Sequence, residues 1–158
     1  MVNHFNEFKK YAFRLEVLQS YSLEEEKDPF EKFLKEEKVT KEDNEDWLEF
    51  IQKAKSRGAI VQRVRVVSFP LSDYMRFQME NFRLYMAEGE EIYTIAYRKF
   101  LKNKPKIKKD FWLFDDKAVL VMNYDKKGRF LGFNEWRGDI SEYIKLKDLL
   151  LANAKKFT

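Results

Sequence analysis

The spacing of apolar residues changes near residue 59, and this change limits the folds that are open to the chain. From Glu42 to Ser56, apolar residues recur every three or four positions and Gly58 follows, which predicts a helix with a glycine at its end. From Ile60 to Ser68 the residues are rich in β-branched types and Pro70 follows, which is typical of a strand. The chain therefore combines helices with a β-sheet.

The residues before this change form a predicted helical layer. Asn3 to Ala12 has the pattern of a short helix, and residues 13–18 are either a short strand or a continuation of that helix. Asp28-Pro29 is typical of the start of a helix. The Asp carboxylate can cap the free amides, and Pro lacks an N–H group that has no partner in the first turn of a helix. The layer ends with the helix over residues 42–56.

The remaining residues predict the sheet and two longer helices. Ser72 to Glu88 has helical spacing and ends before Gly89, and an amphipathic helix follows Gly138-Asp139. Besides residues 60–68, the predicted strands are Glu91–Tyr97, Phe111–Phe114, Ala118–Tyr124 and Arg129–Trp136. Phe111–Phe114 is apolar on both faces, so we expect it inside the sheet.

This order of elements predicts one α+β (or loosely α/β) domain over residues 1–158. Residues 1–58 form the helical N-terminal layer, and residues 59–158 form a single mixed sheet of about five strands with helices on its faces. A chain of 158 residues with 44% hydrophobic residues has enough apolar material for one core.

Composition excludes several kinds of chemistry. The chain has no Cys and a single His, His4, so disulfides, thiolate nucleophiles, thiolate metal sites and paired-histidine mechanisms are excluded. It has no phosphate-binding glycine loop or nucleophile elbow, so we expect no cofactor and no metal, and we favour a non-enzymatic role. Without a signal peptide or a long apolar run, we expect a cytoplasmic protein with no membrane partner.

Charge is distributed unevenly along the chain. The formal net charge is +4, but residues 24–49 hold twelve acids and five lysines, and seven cations lie between Arg98 and Lys109. This basic segment either follows the phosphates of a nucleic acid or is a solvated loop. The residues that we expect to contact nucleic acid are Lys104, Lys106, Lys108 and Lys109.

Arginines on the predicted strand 60–68 suggest an anion site. Arg63 and Arg65 are two residues apart, so they share a face of the strand at a separation of about 6.5–7 Å. Two guanidinium groups there need an anion, which is either an internal carboxylate or a bound phosphate or carboxylate. The following loop leads to a helix N-terminus, where Ser72 and Asp73 either cap the helix or line an anion site.

Two further features extend this candidate site. Arg76 and Glu80 lie on one face of the helix that begins after Ser72, where they either pair with each other or contribute to a polar site. The segment from Asp110 to Asp116 contains carboxylates that either bind a metal or act as a base, or form an ordinary turn. The proposed ligand-binding set is Arg63, Arg65, Ser72, Asp73, Arg76, Glu80, Trp112, Asp115 and Asp116; we assign no catalytic residue.

Several segments in this order resemble a known family. They are Phe13–Glu16, Arg63–Phe77, Glu88–Ile92, Asp110–Asp116 and Met122–Asp125 with Gly128 and Phe130. This string resembles a family of small uncharacterised bacterial proteins that is common in actinobacteria and often encoded beside helix-turn-helix regulators. The resemblance implies a gene neighbourhood and no activity, and the protein partner that we expect is either a helix-turn-helix regulator or another protein. Two residues depart from the family pattern. The family tends to have a polar or acidic residue where Phe69 stands and Glu where Gln78 stands.

A weaker likeness is to the phospholipase-D-like half-domain. Phe111–Asp116 followed by Val119–Val121 is similar to a strand pair of that domain, but the catalytic His and Lys are absent. The likeness implies a catalytically inactive copy that is used for binding.

Three functional hypotheses follow. The leading one is a regulatory or interaction module without enzymatic activity that binds an anionic ligand or a protein partner around Arg63, Arg65 and Arg76. The second is a DNA- or RNA-binding protein that uses the basic segment. The third is a phosphodiesterase or nuclease-like hydrolase, whose acidic residues would be Asp110, Asp115, Asp116 and Glu80.

Overall fold

The computed structural model of the protein describes residues 3–158, which form six α-helices and one seven-stranded sheet. The strands are β1 (Tyr11–Glu16), β2 (Ile60–Val67), β3 (Glu91–Ala96), β4 (Phe111–Phe114), β5 (Ala118–Tyr124), β6 (Phe130–Glu135) and β7 (Lys155–Lys156). The helices are α1 (His4–Glu7), α2 (Lys27–Leu34), α3 (Glu45–Ser56), α4 (Asp73–Glu88), α5 (Tyr97–Lys102) and α6 (Ser141–Asn153). Short 3-10 turns at Glu24–Glu26 and Glu42–Asn44 precede α2 and α3.

The sheet is mixed and has the strand order β6-β5-β4-β1-β2-β3-β7. β1, β2 and β3 are parallel, whereas β4, β5 and β6 form an antiparallel meander next to β1 and β7 pairs antiparallel with β3. The crossovers from β1 to β2 and from β2 to β3 carry α2, α3 and α4. The prediction of a mixed α+β sheet is therefore confirmed, with β4 inside the sheet.

The number of strands corrects the prediction, because the sheet has seven strands and not about five. The first additional strand, β1, settles the choice between strand and helix for residues 13–16, and it lies at the centre of the sheet. The predicted helical layer therefore contains a strand of the sheet, and we keep the name N-terminal layer for α2 and α3 alone. The helix expected over residues 3–12 ends at Glu7 because Tyr11 and Ala12 already pair with Ile60 and Val61. β1 was ambiguous because one of its faces is apolar while charged residues are buried on the other. The second additional strand, β7, has only two residues, too few to give a pattern.

Local sequence explains the ends of the elements around α4. The Ser72 hydroxyl accepts a hydrogen bond from the Met75 amide (3.1 Å), which caps the helix. Gly89 ends the helix with φ +124°, a left-handed conformation that a side chain disfavours. The segment predicted as a basic loop contains α5, so the preceding strand ends at Ala96 and not at Tyr97.

Helices cover both faces of the sheet. On one face, Ile51 of α3 and Phe82 of α4 pack against Ala12 and Val61 of the central strands. On the other face, α5 and α6 pack against strand residues that include Phe13, and their buried residues include Phe100, Leu146 and Leu150. Each large apolar side chain buried in this way contributes roughly 1.5–3 kcal/mol. Among the helices of residues 3–158, none has the length and apolar character needed to cross a membrane.

A third apolar cluster, built around Tyr21, Tyr74 and Phe77, lies next to α2.

Along β1 and β2, charged residues follow Ala12 and Val61 on the face that α3 and α4 cover. These residues are Arg14, Glu16, Arg63 and Arg65. A charged layer is thus enclosed between helices and sheet, and it forms the floor of the site described next.

Candidate functional site

Arg63 is the centre of the buried charged layer. Its Nη1 donates to Glu16 Oε1 at 2.8 Å and its Nε donates to Glu90 Oε2 at 2.7 Å. Its guanidinium also lies over the rings of Trp47, Phe82 and Tyr85, at 4.9–5.4 Å from the centroids. Two internal carboxylates therefore neutralise this cation. Removing one member of such a buried pair costs about 3–5 kcal/mol, because it leaves a buried charge without its partner.

Arg65 is fully buried and is held by neutral acceptors. Its Nε donates to Gln78 Oε1 at 2.8 Å and its Nη1 donates to the Val66 carbonyl at 3.1 Å. Its Nη2 has no hydrogen-bond partner within residues 3–158. Because no part of Arg65 is exposed, a dissolved ligand cannot reach it, and its role is to fix α4 and the end of β1 to the sheet.

Arg14 stands at the edge of the charged layer. Its Nη2 lies 3.5 Å from Glu16 Oε2 and donates to the Tyr124 hydroxyl at 3.2 Å. Its guanidinium is 5.5 Å from the centroid of the Trp112 ring. Since 13% of its side chain is exposed, Arg14 is the arginine of the layer that comes closest to solvent.

Glu16 in the layer and Asp110 beside it are buried acids with displaced pKa values. Burial opposes the ionisation of Glu16, but the charges of Arg63 and Arg14 outweigh it and lower the pKa of Glu16 to about 2. Burial raises the pKa of Asp110 despite the nearby Arg14 charge. Asp110 accepts hydrogen bonds from the Val17 amide at 2.8 Å and from the Tyr21 hydroxyl, which ties the loop after β1 to the start of β4.

A cleft of about 460 Å³ opens above this layer, between the residues that precede α2 and α3 on one side and α4 on the other. Its floor includes Arg14, Glu16 and Arg63, and Trp47 and Gln78 also line it. We call this cavity the acidic cleft. Six carboxylates form its rim: Glu25, Glu26, Glu42, Asp43, Glu45 and Asp46. Within the described residues, none of these six forms an ion pair with a cation of the protein.

Polar contacts hold the rim in place. The Asn44 side chain donates to Asn81 Oδ1 at 2.7 Å and accepts from the Tyr85 hydroxyl at 2.7 Å, so the start of α3 is fixed to α4. Trp47 Nε1 donates to Glu90 Oε1 at 2.7 Å.

The lining has seven carboxylates, counting Glu16, and two arginines that are already paired with acids. Its electrostatic potential therefore favours a cation.

The structure brings together only part of the predicted anion site. Arg63 and Arg65 share the buried layer and Trp112 lies beside Arg14, but Ser72, Asp73, Arg76 and Glu80 do not line the acidic cleft. Arg76 is exposed and lies 3.5 Å from the exposed Asp73. The expected convergence of Arg76 with the strand arginines is not found, because the face of α4 that meets the sheet is the one with Gln78 and Phe82.

Asp115 and Asp116 lie at the far end of β4 and anchor the N-terminal segment. Asp115 accepts hydrogen bonds from the amides of Lys9, Lys10 and Tyr11 at 2.8–2.9 Å. Asp116 pairs with Lys147 at 3.0 Å and contacts the Tyr11 hydroxyl. These interactions lower the pKa of both carboxyls, although burial acts in the opposite direction.

The acids of the hydrolase hypothesis are therefore separated. The four residues of β4 place Asp110 roughly 13 Å or more from the Asp115–Asp116 turn, and Glu80 is exposed on α4. Within residues 3–158, no three acids or histidines are grouped so that they could hold a metal ion. The structure offers no support for a joint acid–base or metal site here.

The basic segment lies on the opposite face of the sheet, where Phe100 packs with α6. Lys104, Lys106, Lys108 and Lys109 are all exposed. Lys106 lies 3.7 Å from Glu142, and Lys109 donates to Asn123 at 2.8 Å. Binding of nucleic acid by this segment stays a prediction.

Sequence reasoning missed the acids that matter most for the site. Glu90 follows Gly89 in a turn and gives no pattern that reveals its contact with Arg63. The rim of the acidic cleft did leave a signal, because twelve acids lie within residues 24–49. The run alone does not show that six of these acids line one cleft, because that depends on how the turns before α2 and α3 pack beside α4.

Comparisons with known proteins give a family but no activity. A family model described as a domain of unknown function (DUF6879) matches residues 1–158. A search of curated proteins finds no match. The expected membership of an uncharacterised family is thus confirmed, whereas the bacterial source and a neighbouring regulator stay predictions.

Proposed function

The chain belongs to this DUF6879 family, whose description names no activity, and we propose from the geometry that the protein is a non-enzymatic interaction module. In this proposal, the acidic cleft binds a cationic segment of a partner protein. The observation that carries the proposal is a cleft of about 460 Å³ lined by seven carboxylates and two arginines, in which the arginines are neutralised from within.

The charge of the cleft favours a cation over the anionic ligand that the sequence suggests. Arg63 is already paired with Glu16 and Glu90 at 2.7–2.8 Å, and Arg65 is inaccessible. An anion would have to approach through the carboxylates of the rim, which repel it. A Lys or Arg side chain would instead meet acids that have no ion pair inside the described part of the chain.

The chemistry of the lining supports binding rather than catalysis. Besides acids and arginines, the cleft is lined by amides, tyrosines and apolar side chains, and it contains no His, Lys, Ser or Thr from the described residues. A Ser, Thr, Cys or Lys nucleophile with an adjacent histidine base is therefore not assembled there. The volume lies in the range of pockets that hold small ligands or single side chains of a partner.

A short lysine-rich peptide tests this proposal. We expect it to bind at low salt and to change the fluorescence of Trp47, which lines the cleft, and we expect binding to weaken at high salt. Replacing Glu25→Gln together with Glu42→Gln should weaken binding roughly three- to tenfold, because two exposed charge interactions are lost.

The matched control is Glu36→Gln with Glu37→Gln, which removes two exposed acids outside the acidic cleft. The control should bind the peptide like the unchanged protein. If the lysine-rich peptide does not bind at low salt, or if a glutamate-rich peptide of equal length binds more tightly, the proposal is wrong.

A further inference from the structure

A second cavity, of about 510 Å³, lies beside the acidic cleft and has a different lining. We call it the aromatic recess, and its apolar walls are Phe5, Trp47, Trp112, Met122, Tyr124, Phe130 and Phe133. Phe130 and Phe133 of β6 are 40% and 44% exposed, and their ring centroids are 4.9 Å apart. Exposed aromatic side chains grouped in this way are typical of an interaction surface.

The two cavities adjoin each other. Arg14, Leu23, Glu25 and Trp47 line both of them, so a ligand that occupies one lies next to the other. The acidic cleft and the aromatic recess are therefore neighbouring cavities that one bound segment could span.

The cations of the aromatic recess are already occupied. Arg129 donates to Asp125 at 2.6 Å, and Arg14 lies 3.5 Å from Glu16. The recess thus offers mainly apolar surface, whereas the rim of the adjoining cleft offers carboxylates that form no ion pair with a cation among the described residues. This pair of surfaces is complementary to a segment that is both cationic and apolar.

On the premise of the proposed function, we propose that the partner segment carries a large apolar side chain close in sequence to its cationic residue, and that the aromatic recess takes this side chain. The cationic residue is held by the rim of the acidic cleft. The apolar side chain is removed from water when it packs against Phe130, Phe133 and the rings behind them. Burial of a side chain the size of Leu in this way should strengthen binding roughly tenfold.

Two peptides of equal length and charge test the inference. One pairs lysines with a leucine, and the other has serine in place of the leucine. We expect the leucine peptide to bind about tenfold more tightly to the unchanged protein. Phe133→Ser should remove this preference while the serine peptide still binds with its original affinity.

Leu131→Ser is the matched control, because Leu131 lies on the same strand, is 67% exposed and does not line the aromatic recess. It should keep the preference for leucine. Equal binding of the two peptides to the unchanged protein would overturn this inference while leaving the proposed function intact. Failure of both peptides to bind would overturn the proposed function and this inference with it.

A second copy of the chain is the competing occupant. Leu101 of α5 is 42% exposed and lies among exposed cations of the basic segment. Sedimentation of the unchanged protein without peptide decides this point. A monomer supports a separate partner, whereas self-association that Phe133→Ser abolishes and Leu131→Ser retains would overturn the inference.

Discussion

Glu26 lies inside the rim of the acidic cleft, and burial gives it an unusual ionisation. Its Oε1 accepts a hydrogen bond from the Tyr74 hydroxyl at 2.6 Å. Burial raises the pKa of Glu26 from 4.5 to about 7, and Tyr74 and Arg14 only partly oppose this effect while Glu16 and Glu25 add to it. The unfolded chain therefore loses this proton at lower pH than the folded protein does.

This difference predicts how stability depends on pH. Because the folded protein holds the proton more tightly, ionisation of Glu26 lowers the free energy of unfolding as the pH rises from about 4.5 to 7. Glu26→Gln removes this loss, so the variant should be more stable than the unchanged protein at pH 8 by roughly 1–3 kcal/mol. Urea unfolding at pH 4 and pH 8 measures this difference. An equal difference at both pH values would contradict the assignment.

For single residues, the sequence predicts the face on which a side chain lies better than it predicts the side chains that it contacts. The two-residue spacing of Arg63 and Arg65 places them on one face of a strand, and this follows from strand geometry alone. The acids that pair with Arg63 are 47 and 27 residues away in sequence. The contact with Glu16 depends on the order of the strands, and the contact with Glu90 depends on the turn after α4. The pattern of apolar residues predicts neither of these. The candidate site therefore changes from a cationic surface to an acidic one when the fold is known.

Among the elements, the turn between β4 and β5 has a second role beyond reversing the chain. Asp115 adopts a left-handed conformation (φ 53°) and accepts three amide hydrogen bonds from residues 9–11. In a simple turn, glycine would relieve the left-handed strain and stabilise the protein. Here we expect Asp115→Gly to destabilise it by roughly 1–3 kcal/mol, because three amides lose their acceptor.

Hydrogen exchange at the start of β1 and urea unfolding measure the effect. The Tyr11 amide should lose protection in Asp115→Gly. Asp115→Asn, which keeps one side-chain oxygen and tolerates the left-handed conformation, should give a smaller loss. A glycine variant as stable as the unchanged protein would show that the turn has only its local role.

The elements that the sequence predicts well have a strong local signal. For α4 this signal is the helical spacing of apolar residues over 16 residues, and for β2 it is a run rich in β-branched residues over 8 residues, so their predicted bounds are close to the observed ones. β1 is shorter, lacks β-branched residues, and carries the buried charged residues Arg14 and Glu16, so its local signal is weak. α5 gives little apolar pattern because three of its six residues are basic and only Phe100 is buried.

Across the whole molecule, charge is separated by the sheet. The acidic residues of the N-terminal layer lie with α2 and α3 on one face, and the basic segment lies with α5 and α6 on the other. The uneven charge along the sequence predicts that two such regions exist. Only the packing of the helices on the sheet shows that these regions lie on opposite faces, so the cleft and the basic segment do not neutralise each other.

The N-terminal layer and the sheet share one core, which predicts that they unfold together. Ile51 and Leu48 of α3 lie in the same apolar cluster as residues of β1, β2, β4 and β5. The ring centroids of Trp47 in α3 and Trp112 in β4 are 5.9 Å apart. Neither part can be removed without exposing the apolar face of the other, so a single cooperative transition is expected.

Single-tryptophan variants measure this cooperativity. One variant keeps Trp47 and the other keeps Trp112, with Phe at the remaining tryptophan positions in both. In each variant, tryptophan fluorescence and far-UV circular dichroism should give the same urea midpoint. If the Trp47 fluorescence changes at lower urea than the circular dichroism, the N-terminal layer unfolds separately. The acidic cleft, which lies between that layer and α4, would then open before the sheet unfolds.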